Sequence, residues 1–129
     1  MNGLIFQYLA VACGGAVGAI CRFTISMWLP FSGQGIPIGT LVANAMGSFL
    51  IGILYVTLVE LELVNSINRE LWMIGFLGAL TTFSTFSLET IRLIETGSYS
   101  LAALYVVLSV IICIVAAFAG LYLARALFP

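Results

Sequence analysis

Four long apolar stretches, separated by short polar or glycine-rich segments, make up most of the chain. They cover about residues 4–29, 38–59, 71–95 and 99–125, and the third becomes more polar after Leu88. A helix needs about 20 apolar residues to cross the hydrocarbon core of a bilayer. None of the stretches alternates with the period of two that barrel strands have. The pattern therefore predicts an all-α membrane protein, with four transmembrane helices in a single domain over residues 1–129.

The connections between the stretches carry helix breakers or charges. A loop with two prolines and two glycines follows the first stretch, a polar turn over residues 60–70 follows the second, and Gly97 with Ser98 precedes the fourth. Four spans place both termini on one side of the membrane. The first stretch is too long for the core of a signal peptide and has no basic region before it, so we expect no cleavable signal.

The composition agrees with lipid as the main solvent. Hydrophobic residues account for 63% of the chain and charged residues for 7%, whereas soluble domains carry about 25% charged residues. No basic cluster indicates a nucleic-acid partner. Cys13, Cys21 and Cys113 lie in apolar stretches without the spacing of metal ligands, and we interpret them as small core residues.

The four arginines are balanced between the two sides of the membrane. Arg69 and Arg125 lie on the side of the termini, and Arg92 and Arg22 lie on the other. Positive charge near span ends normally fixes orientation, so this balance leaves the orientation open. A chain that inserts both ways can assemble as an antiparallel dual-topology homodimer, with its two-fold axis in the membrane plane. A parallel oligomer with weakly specified topology is the alternative.

Arg22 is the single charge within the first span. Charges inside a membrane are costly and mark candidate functional sites. Gly14 and Gly18 precede it on the same helix face, where small residues let a neighbouring backbone approach. Arg22 could attract an anion or anchor a buried hydrogen-bond network. The alternative is that its side chain snorkels to the interface near Pro30.

The second span carries one polar stripe. Thr40, Asn44 and Ser48 follow one another at intervals of four residues on an otherwise apolar helix. The amide of Asn44 supplies two N–H donors without a charge, which suits a ligand that must both bind and leave. Hydrogen bonding between helices is the alternative role.

The middle of the third span combines glycines with a cluster of hydroxyl and aromatic residues: Thr81, Thr82, Phe83, Ser84, Thr85 and Phe86. Serine and threonine compete for backbone hydrogen bonds, so we expect the helix to be broken near Thr81. Broken backbone at membrane depth must be buried or line a polar cavity, and its freed carbonyls can coordinate a cation. In an antiparallel dimer, two copies of the break could meet at the bilayer centre.

Aromatic and hydroxyl side chains of the third and fourth spans are further candidates. Phe83 and Phe86 are three residues apart, and the electropositive edge of each ring could meet a small anion. Tyr105 and Ser109 share a helix face, which Cys113 continues, so they could line the same path. Ordinary packing, an interfacial aromatic and a hydroxyl bonded to its own helix are the alternatives.

Three segments together resemble the signatures of one family. They cover Gly14 to Arg22, Gly39 to Phe49 and Gly78 to Ser87, in this order along the chain. With the four-span plan, they resemble the Fluc (CrcB) fluoride channels over the whole chain.

The resemblance implies an antiparallel homodimer with two pores, which exports fluoride passively across the bacterial inner membrane and lowers fluoride toxicity. It implies a fluoride pore lined by Asn44, Phe83, Phe86, Tyr105 and Ser109. Beside the pore we place a polar track of Thr40, Ser48, Thr82, Ser84 and Thr85. It also implies that the carbonyls of Gly78 and Thr81 hold a structural sodium ion at the subunit interface, and that Arg22 is a basic vestibule residue.

Three other functions fit parts of the pattern less well. A proton-coupled multidrug exporter of similar size needs a carboxylate within the membrane, but the nearest one, Glu89, follows the uncharged core of the third span. An enzyme is disfavoured because the chain contains no histidine for acid–base work. A purely structural subunit leaves the polar stripe and the hydroxyl cluster unexplained.

Overall fold

The computed structural model describes the backbone of residues 2–61 and 66–128, and all the regular structure in these two segments is helical. In chain order the helices are α1 (Asn2–Trp28), α2 (Ile38–Tyr55), α3 (residues 66–80), α4 (Phe83–Glu95) and α5 (Tyr99–Leu127). Two stretches are wound as π-helix: Val56–Glu60, which continues α2, and Glu70–Leu77, which forms most of α3 between Ser66–Arg69 and Gly78–Leu80.

These helices make four spans that are long and apolar enough to cross a bilayer: Gly3–Trp28, Ile38–Glu60, Ile67–Glu95 and Tyr99–Leu127. The prediction of an all-helical protein with four such spans is confirmed. The third span begins earlier than the sequence predicts, because Ser66–Arg69 is already helical. The centre of the predicted polar turn, residues 62–65, lies outside the described residues.

The outward faces of the helices are apolar. Large hydrophobic side chains such as Phe23 and Val115 remain exposed on all five helices. A water-soluble protein does not tolerate so much contiguous apolar surface, but lipid accepts it. Trp28 and Tyr99 are exposed at span ends, where aromatic rings favour the membrane interface. The chain is therefore a multi-pass membrane protein.

Glycines allow two pairs of helices to pack backbone against backbone. A Cβ on Gly14 or Gly18 of α1 would overlap the carbonyl oxygen of Leu71 or Phe76 in α3. The second pair is α2 with α5, where a Cβ on Gly120 would overlap the carbonyl of Phe49. Such close approach is typical of small-residue packing between membrane helices. The two pairs, α1 with α3 and α2 with α5, form the framework of the bundle.

The Gly18→Ala variant tests the first of these contacts. We expect it to lower the stability of the folded protein, because overpacking a closely packed site costs about 1–3 kcal/mol. Gly15→Ala is the matched control, since a Cβ there would lie at an ordinary 3.8 Å from the carbonyl oxygen of Gly75. Thermal unfolding in detergent, followed by size-exclusion chromatography, measures the difference. Equal unfolding temperatures for the two variants would contradict this close packing.

A buried cluster fills one end of the bundle. Phe86 and Leu93 of α4 pack with Ala102 and Tyr105 of α5. The loop between α1 and α2 contributes Phe31 and Ile36 to the same cluster. The bundle is thereby closed where α4 turns into α5.

The turn between α4 and α5 depends on a glycine. Gly97 has a φ of 76°, which a side chain would strain. Its N–H donates to the Ile94 carbonyl, and the Ser98 N–H donates to the Leu93 carbonyl. This pair of bonds is the Schellman arrangement that ends a helix, and it lies at the break that the sequence predicts for Gly97 and Ser98.

Candidate functional site

Two extended residues separate α3 from α4 in the middle of the third span. Thr81 has φ −83° and ψ 152°, and Thr82 has φ −152° and ψ 120°. Thr82 caps the start of α4, because its Oγ1 accepts a hydrogen bond of 3.2 Å from the Thr85 N–H. Helical geometry therefore stops after Leu80 and resumes at Phe83.

Asn44 of α2 holds the extended segment. Its Oδ1 accepts a 2.7 Å hydrogen bond from the Thr82 N–H, and its Nδ2 donates a 3.1 Å bond to the Thr82 carbonyl. The carboxamide thus pairs with one residue of backbone as a neighbouring β-strand would. An asparagine amide has two N–H donors, so one remains for another partner.

Arg22 contacts the same segment from α1. Its Nε donates a 2.9 Å hydrogen bond to the Ala79 carbonyl, in the last turn of α3. A helix leaves its last carbonyls without internal donors, and a cation near that end is favourable. Arg22 therefore helps to hold the end of α3, and it lies outside the groove described below.

These bonds change the hydrogen bonding of two carbonyls. In a continuous α-helix, the N–H groups of residues 82 and 85 would donate to the carbonyls of Gly78 and Thr81. Here the Thr82 N–H donates to Asn44, and the Thr85 N–H donates to the Thr82 hydroxyl. The carbonyls of Gly78 and Thr81 have lost their helical donors.

A groove of about 440 Å³ runs beside this segment, between α2, α3, α4 and α5. Its polar and aromatic lining comes from Asn44, Ser48, Thr81, Thr82, Phe83, Phe86, Ser109 and Cys113. Apolar side chains such as Leu77 and Val110 complete the wall. Polar groups at membrane depth need a polar ligand, water or protein against them, so the groove is the candidate functional site.

Three aromatic rings stand in series, two in the groove wall and the third, Tyr105, behind it. The centroids of Phe83 and Phe86 lie 5.3 Å apart, and those of Phe86 and Tyr105 lie 5.1 Å apart. Phe83 is 78% exposed, whereas Phe86 is 8% exposed. The rings are tilted against each other rather than stacked face to face, so ring edges as well as faces are presented.

Ser109, a residue of the groove wall, carries a buried hydroxyl. The residue is 7% exposed, and its Oγ has no hydrogen-bond partner among the described residues. Buried hydroxyls almost always have a partner. An unpaired hydroxyl on a residue of the groove wall can donate to a ligand or water that reaches it.

Glu89 was not among the candidates that the sequence suggested. Glu89 is 8% exposed, and its two carboxylate oxygens accept hydrogen bonds of 2.8 Å, one from Thr40 Oγ1 and the other from Tyr105 Oη. From the sequence, Glu89 is expected just beyond the uncharged core of the third span, because the apolar run ends at Leu88. The signal that could have found it is its spacing from Phe86 and Thr85, which puts it on the inward face of α4.

Apart from Arg22, the predicted site residues fall into three places. Eight of them line the groove: Asn44, Ser48, Gly78, Thr81, Thr82, Phe83, Phe86 and Ser109. Thr40 and Tyr105 lie behind it, on Glu89. Thr85 and exposed Ser84 bond to the Thr82 hydroxyl from the first turn of α4 and do not line the groove.

Comparison with known proteins gives the family. The model of the family described as CrcB-like protein, Camphor Resistance (CrcB), matches residues 9–121. The chain belongs to the CrcB family. The matched range includes Arg22, the whole groove and the Glu89 cluster, so the family resemblance of the three sequence segments is confirmed.

Three relatives of the chain carry one name. The chain is 44% identical to the fluoride-specific ion channel FluC of Saccharophagus degradans, over 95% of this chain and 92% of the relative. It is 44% identical to the protein of that name from Magnetococcus marinus, over 92% and 98% of the two chains. It is 46% identical to the one from Agrobacterium fabrum, over 92% and 95%. These relatives are named as channels, not as enzymes.

Proposed function

We propose that this CrcB-family chain is a subunit of a channel through which fluoride crosses the membrane passively. Relatives of nearly the same length are named fluoride-specific ion channels. The observation that carries the proposal is the groove in the middle of the membrane-spanning region, where the Asn44 amide, the unsatisfied Ser109 hydroxyl and two phenylalanine rings come together.

The groove offers donors that suit a small, strongly hydrated anion. Fluoride loses its water only where other donors replace it, and the remaining N–H of Asn44 and the O–H of Ser109 are such donors. The electropositive edges of Phe83 and Phe86 add weaker contacts. No arginine is among the described residues that line the groove, so no cationic side chain there would hold the anion. Chloride is larger than fluoride, so a path that fits fluoride closely would exclude it.

Proton-coupled export is the second candidate, and Glu89 is the observation that favours it. A buried carboxylate at membrane depth is what such an exporter needs. However, both oxygens of Glu89 already accept hydrogen bonds from Thr40 and Tyr105, and the residue does not line the groove. Together with the names of the relatives, this favours a channel.

Ion release from liposomes tests the function. Purified protein is reconstituted with internal fluoride or chloride, and release is followed with ion-selective electrodes while a potassium ionophore compensates the charge. We expect fast fluoride release, little chloride release, and no change when a protonophore collapses the proton gradient. Fluoride release that requires a proton gradient would favour the exporter, and equal release of both anions would contradict fluoride selectivity.

We also propose that two copies assemble as an antiparallel homodimer. The groove is open on one side of a single subunit and is lined by the half-buried polar side chains of Asn44 and Ser48. Lipid cannot satisfy such groups, and a second copy can cover them. The balance of arginines between the two sides supports opposite orientations.

Copies of fixed orientation test the antiparallel assembly. One variant carries added lysines at its termini, and a second carries added lysines in the loops on the opposite side of the membrane. Each variant should insert in a single orientation, opposite to that of the other. We expect neither copy to release fluoride alone and the two together to restore release. Full activity from one fixed orientation would contradict the antiparallel dimer, and a charge-neutral insertion of glutamines at the same places is the control.

We propose that the third span works as two half-helices around a structural sodium ion. Gly78 and Thr81 are among the residues that line the groove, and their carbonyls have lost their helical donors, so these oxygens fit a hard cation that prefers oxygen ligands. On the two-fold axis of an antiparallel dimer, the same pair from each copy would face the ion. The ion would join the two copies electrostatically.

Removing sodium tests this role. We expect fluoride release and the dimer fraction to fall together in sodium-free buffer and to recover when sodium is returned. The Thr81→Ser variant should behave nearly as the parent, because it keeps the carbonyl and loses only the methyl group that Gly47 accommodates. Unchanged release and unchanged assembly in thoroughly sodium-free buffer would argue against the cation.

We place the protein in the bacterial inner membrane, on the basis of the family resemblance. Passive release of fluoride there would lower its cytoplasmic concentration. Fractionation of cells that express a tagged chain, combined with growth in fluoride with and without the gene, tests the placement and the role. A chain found in another membrane, or fluoride tolerance that does not depend on the gene, would contradict it.

A further inference from the structure

The carbonyls at the end of α3 differ in their hydrogen bonding. The Leu77 carbonyl accepts two bonds from Thr81, one from its N–H at 3.0 Å and one from its Oγ1 at 2.9 Å. The Ala79 carbonyl accepts the 2.9 Å bond from Arg22. Gly78 lies between them in sequence, is exposed and lines the groove. Its carbonyl differs from these neighbours because the donor that a continuous helix would give it bonds elsewhere.

A side-chain oxygen takes this donor. The Thr82 N–H would bond to the Gly78 carbonyl in a continuous helix, but it donates to Asn44 Oδ1 at 2.7 Å. Asn44 Nδ2 donates to the Thr82 carbonyl at 3.1 Å, so the carboxamide is held at both ends. Turning it over would bring its NH₂ group against the Thr82 N–H. The acceptor oxygen of Asn44 therefore stays on this N–H group, and the Gly78 carbonyl stays without it.

A second side-chain oxygen has the same effect on the Thr81 carbonyl. The Thr85 N–H would bond to that carbonyl in a continuous helix, but it donates to Thr82 Oγ1 at 3.2 Å. The Thr82 hydroxyl donates its own hydrogen to Thr85 Oγ1 at 3.1 Å, and so presents a lone pair to the N–H group. Each of the two carbonyls is thus matched by one side chain that holds its helical donor.

We propose that Asn44 and Thr82 are positioning residues of the cation site, because each accepts the N–H group that would otherwise bond to one of its two carbonyls. The inference rests on the sodium site proposed above. It goes beyond that proposal by making the site depend on two side chains outside its set of ligands. Asn44 then serves both ions, since its remaining N–H is available to an anion.

Loss of either acceptor should close one carbonyl. An N–H group at membrane depth needs an acceptor, and an unpaired one is costly. The acceptor that restores the helix is the carbonyl four residues earlier, which is Gly78 for Thr82 and Thr81 for Thr85. A carbonyl that accepts this bond is less available to a cation. We expect the sodium concentration that half-stabilises the protein to rise by at least about tenfold, equivalent to about 1.4 kcal/mol.

Substitutions at Thr82 test the second acceptor. Thr82→Val keeps the shape of the side chain but removes the oxygen, whereas Thr82→Ser keeps the oxygen. The unfolding temperature of each purified protein is measured in detergent over a series of sodium concentrations, with N-methyl-D-glucamine as the replacement cation. A ligand that binds the folded protein raises this temperature as its concentration rises. Thr82→Ser should follow the parent, and Thr82→Val should need at least about tenfold more sodium for the same stabilisation.

Substitutions at Asn44 test the first acceptor. Asn44→Asp keeps an oxygen for the Thr82 N–H, whereas Asn44→Leu has a similar shape and no acceptor. We expect Asn44→Asp to remain stabilised by sodium although it conducts fluoride poorly, and Asn44→Leu to lose both properties. Fluoride release from liposomes is measured on the same preparations. The difference between sodium response and flux separates the two roles of Asn44.

The outcomes separate the inference from the proposals on which it rests. A merely structural role of Thr82 would lower the unfolding temperature of Thr82→Val equally at every sodium concentration, and that result would overturn the inference. If Thr82→Val does not fold, loss of the sodium response in a folded Asn44→Asp protein would overturn it. A parent protein that sodium does not stabilise would refute the cation site and the inference together. Fluoride release by the parent tests the channel function independently.

Discussion

The Asn44→Asp variant is expected to lose nearly all fluoride flux. Its carboxylate can still accept the Thr82 N–H, but it has no donor for the Thr82 carbonyl, which the Asn44 Nδ2 now bonds at 3.1 Å. A buried carbonyl left unpaired costs about 1–3 kcal/mol, and two facing oxygens repel. The new charge also faces the anion in the groove. We expect flux to fall by about a hundredfold or more, equivalent to about 3 kcal/mol.

Flux and assembly are measured together for this variant. Fluoride release from liposomes gives the flux, and size-exclusion chromatography before reconstitution confirms that the protein is folded. Met46→Leu is the matched control, because Met46 lies on the outer face of the same helix, and it should keep the parent flux. An assembled Asn44→Asp protein that conducts like the parent would mean that the anion does not pass Asn44.

Phe86→Ile and Phe83→Ile should each reduce fluoride flux sharply while the protein stays folded. Isoleucine remains apolar but has no electropositive ring edge for an anion. Phe86 is the more sensitive position, because its ring lies between Phe83 and Tyr105, and its loss also disturbs both ring contacts. We expect a reduction of about tenfold or more, equivalent to about 1.4 kcal/mol in the barrier.

A phenylalanine outside the groove controls for loss of an aromatic ring. Phe118 on α5 is exposed and packs only against Tyr122 among the ring pairs of the described residues. Phe118→Ile should therefore leave fluoride release unchanged. If Phe83→Ile and Phe86→Ile also release fluoride at the parent rate, the path does not follow these rings.

The spans could be predicted from sequence because the requirement is local. A bilayer demands a run of apolar residues of fixed length, and the chain meets it four times. The glycines of α1 predicted close packing but not its partner. That partner is the π-helical part of α3, whose carbonyls at Leu71 and Phe76 approach Gly14 and Gly18. No local pattern in Glu70–Leu77 distinguishes π-helix from α-helix.

The site could be predicted less completely, because its bonds connect distant parts of the chain. The four-residue spacing identified Asn44 as an inward-facing amide, but its pairing with Thr82 depends on how α2 packs against the third span. Glu89 could not be identified as buried from the sequence, because a charged residue that follows an apolar run normally lies at the membrane interface. Its two partners, Thr40 and Tyr105, come from two other helices, and only their convergence identifies it as buried.

The zero-current voltage of the reconstituted protein tests the central claim most directly. Planar bilayers are given a fluoride gradient in one direction, a chloride gradient in the other and a separately set pH difference. A passive, fluoride-selective channel predicts a zero-current voltage that follows the fluoride gradient alone and stays unchanged when chloride or pH is altered. A voltage that follows chloride, or that moves with the proton gradient, would contradict the fluoride channel.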